Sequence, residues 1–147
     1  MRKILTLLGA ATLSFAAVAG DMATPDEAKA LSQKAQAAVN DMGSEKAFVA
    51  FAEADGGYQD KDLYVFCLDM EGVMLSHAKK PELVGKNLID FNKYGDNLFK
   101  DMIAAASGGE GWVDYKWPYP GTDEIREKTS YVMTNDEGFF CGVGAYK

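Results

Sequence analysis

Chemistry in this chain gathers around its only histidine, His77, and around the stretch Gly-Trp-Val-Asp-Tyr-Lys-Trp-Pro-Tyr-Pro-Gly at residues 111–121. That stretch alternates as a strand does, then runs into Pro118, Pro120 and Gly121, which cannot extend a ladder. Alternation puts Tyr115 and Trp117 on one face and Asp114 and Lys116 on the other. Tyr115 and Trp117 carry polar tips that need partners when buried, and such tips suit a small polar ligand. The next strand adds Lys128, a second cation, and Tyr131, a second phenol. Core packing alone explains Val113 and Trp112, and Pro118 and Pro120 serve to rigidify the corner. The corner is therefore a packed hairpin end or a pocket wall, and its polar tips favour the wall. Which of Lys116 and Lys128 turns inward stays open, while Lys86 reads as a solvated turn residue.

Other chemistries fit less well. The chain has no Gly-x-Ser-x-Gly elbow, no phosphate-binding loop and no cysteine near His77 in sequence. Carboxylates are plentiful, but abundant surface acids do not make a catalytic dyad. One histidine without a carboxylate cluster beside it argues against a metal site. The expectation is a protein that is not an enzyme and uses neither metal nor cofactor.

The elements that must position these residues begin after a leader. Arg2 and Lys3 precede an apolar run from Ile4 to Ala16, and Ala17-Val18-Ala19 offers the small residues of a cleavage site. Residues 1–19 are thus expected to be a signal peptide, and residues 20–147 one domain in the periplasm or outside the cell. The chain's net charge of −7 becomes −9 without the leader's basic pair, a surface that repels nucleic acid and anionic lipid. No membrane insertion is expected after cleavage. Cys67 and Cys141, bound for an oxidising compartment, form either a structural disulfide, if their strands are neighbours, or separate buried thiols.

Thr24-Pro25-Asp26-Glu27 is a helix start, with Thr24 as cap and Glu27 completing a capping box. A helix through Met42 follows, and a shorter one opens at Ser44. From Leu63 the period changes to strands: 63–68, a turn at Asp69 to Gly72, and 73–77. A long turn-rich connection over 79–97 leads into a helix over 98–106, and strands over 111–117, 127–134 and 139–146 complete the chain. This order makes an α+β domain.

The order resembles the PAS-like extracellular sensors, and specifically the single Cache domain. The resemblance is carried by "DLYVFCLDMEGVMLSHAKKPELVGKNLID" (62–90), "GGEGWVDYKWPYPGT" (108–122), "EKTSYV" (127–132) and the closing "CGVGAYK". It implies a PAS-like antiparallel five-stranded sheet with N-terminal helices and a helical insertion after strand 2. It also implies a pocket for a small organic anion, such as a short-chain carboxylate, between the sheet and the connection after its second strand. Under that reading His77, Tyr115, Lys116, Trp117, Lys128 and Tyr131 are the ligand-binding candidates. The partner would be a membrane receptor or kinase. No transmembrane or signalling segment follows the last strand of this sequence, so a soluble stand-alone form is expected. The competing expectation is an interaction module that keeps the fold without a working pocket.

Overall fold

The computed structural model of the protein describes residues 22–147, so the leader expected over 1–19 lies outside the described residues. Helix α1, Pro25–Met42, starts as its sequence dictates. The Thr24 hydroxyl accepts from the Glu27 N–H at 3.2 Å, and the Glu27 carboxylate accepts from the Thr24 N–H at 2.8 Å. This reciprocal box satisfies donors that the first turn leaves open. Ala28, Ser32, Ala35 and Val39 form the buried stripe of α1 at helical spacing. Gly43 ends it, and α2, Ser44–Ala52, turns Ala47 and Phe51 inward.

The strands are β1 (Val65–Leu68), β2 (Met74–His77), β3 (Glu110–Pro118), β4 (Ile125–Thr134) and β5 (Phe140–Tyr146). Between β2 and β3 lie a 3-10 turn at Pro81–Leu83 and helix α3, Leu98–Ser107. The sheet has five strands in the order β2-β1-β5-β4-β3, and every neighbouring pair is antiparallel. The final strand therefore inserts at the centre, where all of its residues are buried. β1, from the first apolar run, is an interior strand buried along its length, and β5 holds the central place.

Side chains alternate across the sheet, and each face has its own core. One face turns Val65, Cys67, Cys141, Val143 and Ala145 toward α1 and α2. Cys67 and Cys141 stand opposite each other in register and are disulfide-bonded. The other face turns Phe66, Leu68, Val113, Tyr115, Trp117, Val132 and Phe140 toward α3 and the connection that precedes it. Among the described residues no helix is long and apolar enough to cross a membrane.

Candidate functional site

Lys128 is the unusual residue of the second face. It pairs with Tyr115 of β3 on one side and Tyr146 of β5 on the other, so its side chain lies over the middle of the sheet. Only 1% of it is exposed. Room for its stem comes from Gly144, where an added Cβ would collide with Lys128 Cε and Ser130 Oγ. Glycine inside a strand commonly marks such a close approach.

The Lys128 ammonium donates to the Tyr64 phenol at 3.0 Å. The rings of Tyr64, Tyr146, Phe66 and Tyr115 surround it, with centroids 4.2, 5.0, 5.7 and 5.8 Å away. Among the described residues no carboxylate forms an ion pair with it. Burial lowers the amine to about 7, and the charge of Asp62 works weakly against that fall. Ring faces attract the cation, but they do not replace the water it has lost.

His77, at the end of β2, faces the same space, with its ring centroid 5.0 Å from Tyr64 and 6.0 Å from Trp117. Its Nδ1 accepts from the Lys79 and Lys80 N–H groups at 3.2 and 2.9 Å. That fixes the neutral tautomer with its proton on Nε2, which has no protein partner among the described residues. Burial, then the charges of Lys128 and Lys80, lower this imidazole to about 3, so it stays a neutral donor.

Hydroxyl groups complete the polar end. Tyr115 and Ser130 share a hydrogen bond of 2.7 Å, and burial pushes the Tyr115 phenol well above its ordinary value. The Tyr146 hydroxyl donates to the Pro118 carbonyl at 2.8 Å, tying the proline corner to the central strand. Beyond this end the wall becomes apolar, built from Phe66, Met74, Leu98, Phe99 and Met102. Phe91 and Tyr94, from the long connection, pack on the Trp117 ring, each at 5.8 Å. The cavity between these walls is about 10 Å³, room for one water. The arrangement offers donors from His77 and Tyr115 at one end and hydrocarbon at the other, with the Lys128 ammonium behind the Tyr115 ring.

The structure thus brings His77, Tyr115, Trp117 and Lys128 together. It does not bring Lys116 or Tyr131 to them. Each sits at the opposite parity of its strand, and one position along a strand reverses the face. Lys116 is exposed, and its backbone N–H donates to Asp96 at 3.1 Å. Tyr131 packs on the α1 side, with Trp112 at 5.0 Å and the Lys29 ammonium 5.0 Å from its ring. Trp112, expected in the core, is 42% exposed beside it.

Sequence reasoning passed over Tyr64, Ser130, Gly144 and Tyr146. The signal for Gly144 was present in Cys-Gly-Val-Gly-Ala-Tyr, whose alternate glycines share the face of Tyr146. Tyr64 lay hidden in a run of uniformly apolar residues.

The sequence profile of the Cache domain matches residues 29–146. Over 88 residues, 58% of this chain, the sensor histidine kinase MctS of Rhizobium johnstonii is 34% identical. The methyl-accepting chemotaxis protein McpP of Pseudomonas putida is 33% identical over 90 residues, 59% of the chain. The matched segments span only 19% and 16% of those longer proteins. A methyl-accepting chemotaxis protein from Vibrio parahaemolyticus superposes with a TM-score of 0.69 at 26% identity, covering 82% of this chain and 86% of that one. A Cache chemosensory domain solved for its carboxylic acid recognition superposes at 0.64 with 25% identity and the same coverage of both chains. With a match running over most of its described residues, the chain belongs to the Cache domain family of extracellular and periplasmic sensor modules.

Proposed function

We propose that this Cache domain binds a small organic anion, a short-chain carboxylate, and passes its occupancy to a membrane receptor or kinase. In this reading the leader over 1–19 is cleaved and residues 20–147 work as a soluble periplasmic binding domain, without metal, cofactor or catalysis. One observation carries the ligand class: a buried ammonium with no ion-pair partner lies behind Tyr115, which with His77 forms the polar wall of a small cavity otherwise lined by hydrocarbon. A carboxylate would supply the missing charge to Lys128 and accept from His77 Nε2, while its short chain met Met74, Leu98 and Met102. The relatives support the signalling half, since they are a sensor kinase and chemotaxis receptors. The carboxylic acid recognised by one structural neighbour supports the ligand class.

At about 10 Å³ the cavity must widen to take any acid. That same observation favours the other reading, an interaction module with a collapsed pocket. Thermal-shift measurements with C2 to C4 carboxylates separate the two. A binder gains roughly 2.7 kcal/mol at a hundredfold excess over Kd. No shift with any acid, amine or amino acid would transfer the conclusion to the interaction module. Mass analysis of the exported protein tests the leader, with Gly20 expected as the first residue.

A further inference from the structure

Lys128 is the only buried lysine or arginine among the described residues, and its surroundings lack a negative charge in contact. Neighbouring elements face it with neutral groups. Tyr64 approaches from the segment before β1, Phe66 from β1 and Tyr115 from β3. Tyr146 comes from β5, and the uncharged His77 of β2 faces the same space. Asp96, Asp114, Lys116, Glu127 and Lys147 border an open surface pocket with Lys128, but none of the acids forms an ion pair with the buried ammonium. Asp62 acts on Lys128 from a distance, and its carboxylate already accepts from the Ala23 N–H at 2.8 Å and the Tyr119 hydroxyl at 3.2 Å. Lys80 adds only further positive charge on the His77 side.

We propose that the site captures a carboxylate and a proton together, the proton passing from solvent to Lys128 Nζ as the anion arrives. The inference rests on the anion-binding reading above and adds its regulation by pH. Burial disfavours the ammonium of the empty site, leaving the amine near 7. An anion in contact restores the charged form and raises that value. Between the free and the bound values the complex holds more protons than its parts. Affinity there falls about tenfold for each unit of rising pH, and it is flat from neutrality down to the carboxyl's own titration. The domain would report less of its ligand in alkaline surroundings at the same anion concentration.

The test is calorimetry of the purified protein with propionate, which carries one carboxylate and a short apolar tail. Titrations use buffers of different ionisation enthalpy. Uptake approaching one proton per propionate is expected near pH 8.5, with almost none near pH 6, as the linkage relation requires. Binding with the same observed heat in every buffer at the alkaline pH means no proton uptake, which overturns the inference and leaves the anion reading standing. Uptake confined to acid pH assigns the proton to His77 and also overturns it. Failure of every C2 to C4 carboxylate to bind removes the anion reading itself, and this inference with it. A Lys128→Arg variant keeps its charge, so its affinity should not change with pH through the same range. If that variant does not fold, carbon NMR of lysine Cε in the parent protein reads the group directly. A midpoint near neutrality that propionate moves upward is expected. Titration of every lysine in the free protein above about pH 10, the ordinary range, overturns the proposal.

Discussion

The two faces of one sheet follow opposite rules. Toward α1 and α2 the sheet presents Val65, Val143, Ala145 and the Cys67–Cys141 bond, packed on the alanines of the helix. The polar group buried there in α1, the Ser32 hydroxyl, is settled by the Tyr131 carbonyl at 2.8 Å. Toward α3 the same strands present an unpaired ammonium, a neutral imidazole with a free N–H and a set of phenols. The first face is made of groups that stabilise a fold. The second buries groups that cost stability unless something satisfies them. A domain that carries such a face depends on the other to stay folded, and this division can be tested one face at a time.

The largest stability effect is expected on the helix face. The disulfide closes a sequence separation of 74 residues, and replacing both cysteines by alanine should lower stability by roughly 2–5 kcal/mol. Carboxylate affinity, measured at a temperature where the variant is still folded, should match the parent. A parallel loss of affinity would break the division between the faces.

Lys128→Met should do the reverse. It keeps the stem and removes the charge, so stability near neutral pH should rise by about 1–4 kcal/mol while carboxylate binding falls by about a hundredfold or more. The pH dependence has a defined sign. Lys128 sits at about 7 in the folded chain against an ordinary 10.5, so the unfolded chain holds more protons between those values. Stability of the empty protein therefore rises with pH across that window, and the cost of the buried charge is complete below about pH 7. Above about pH 10 the phenols of Tyr115 and Tyr146, raised by burial, reverse the trend because the folded state keeps protons the unfolded chain loses. Urea unfolding along a pH series should show the rise in the parent and lose it in Lys128→Met. A rise that survives the substitution would assign it elsewhere.

Gly144→Ala is expected to act on the site face with a smaller effect. The new methyl meets Lys128 Cε and Ser130 Oγ, and overpacking of this kind costs typically 1–3 kcal/mol. Because the displaced group is the cation itself, affinity should drop more steeply than in other variants of equal stability. Unfolding and binding titrations on the same preparation separate the effects.

These variants also show where the sequence was readable. Element order came through because its signals are local: the Thr24 capping box, the glycines after α3, and the change of period at Leu63. Strand parity was local too, and the reading that put Tyr115 and Trp117 opposite Lys116 already contained the exclusion of Lys116. The parity of Tyr131 relative to β3 was not local. It depends on the register Tyr115↔Lys128, which depends on the turn between β3 and β4. The same pairing makes Lys128, rather than Lys116, the inward cation. Tyr64 and Tyr146 were hidden for a related reason, since each becomes a site residue only when β5 inserts beside β1.

The smallest expected effect gives the finest test of the two faces. Tyr131→Phe and Tyr115→Phe delete the same atom from neighbouring strands, one toward α1 and one toward the cavity. Tyr131 keeps its Trp112 and Lys29 ring contacts as phenylalanine, since both engage the ring. Its loss of stability should stay within about 1 kcal/mol, and its carboxylate affinity should equal the parent's. Tyr115→Phe leaves the Ser130 hydroxyl without its 2.7 Å partner and removes a donor at the polar end. Affinity should weaken by roughly 0.5–3 kcal/mol, the range between a neutral and a charged acceptor. Calorimetry on both variants decides the matter by their difference, which cancels whatever a lost phenol does in general. Equal affinities in the two would place the ligand away from Tyr115. A Tyr131→Phe variant that binds more weakly than the parent while melting like it would return Tyr131 to the site.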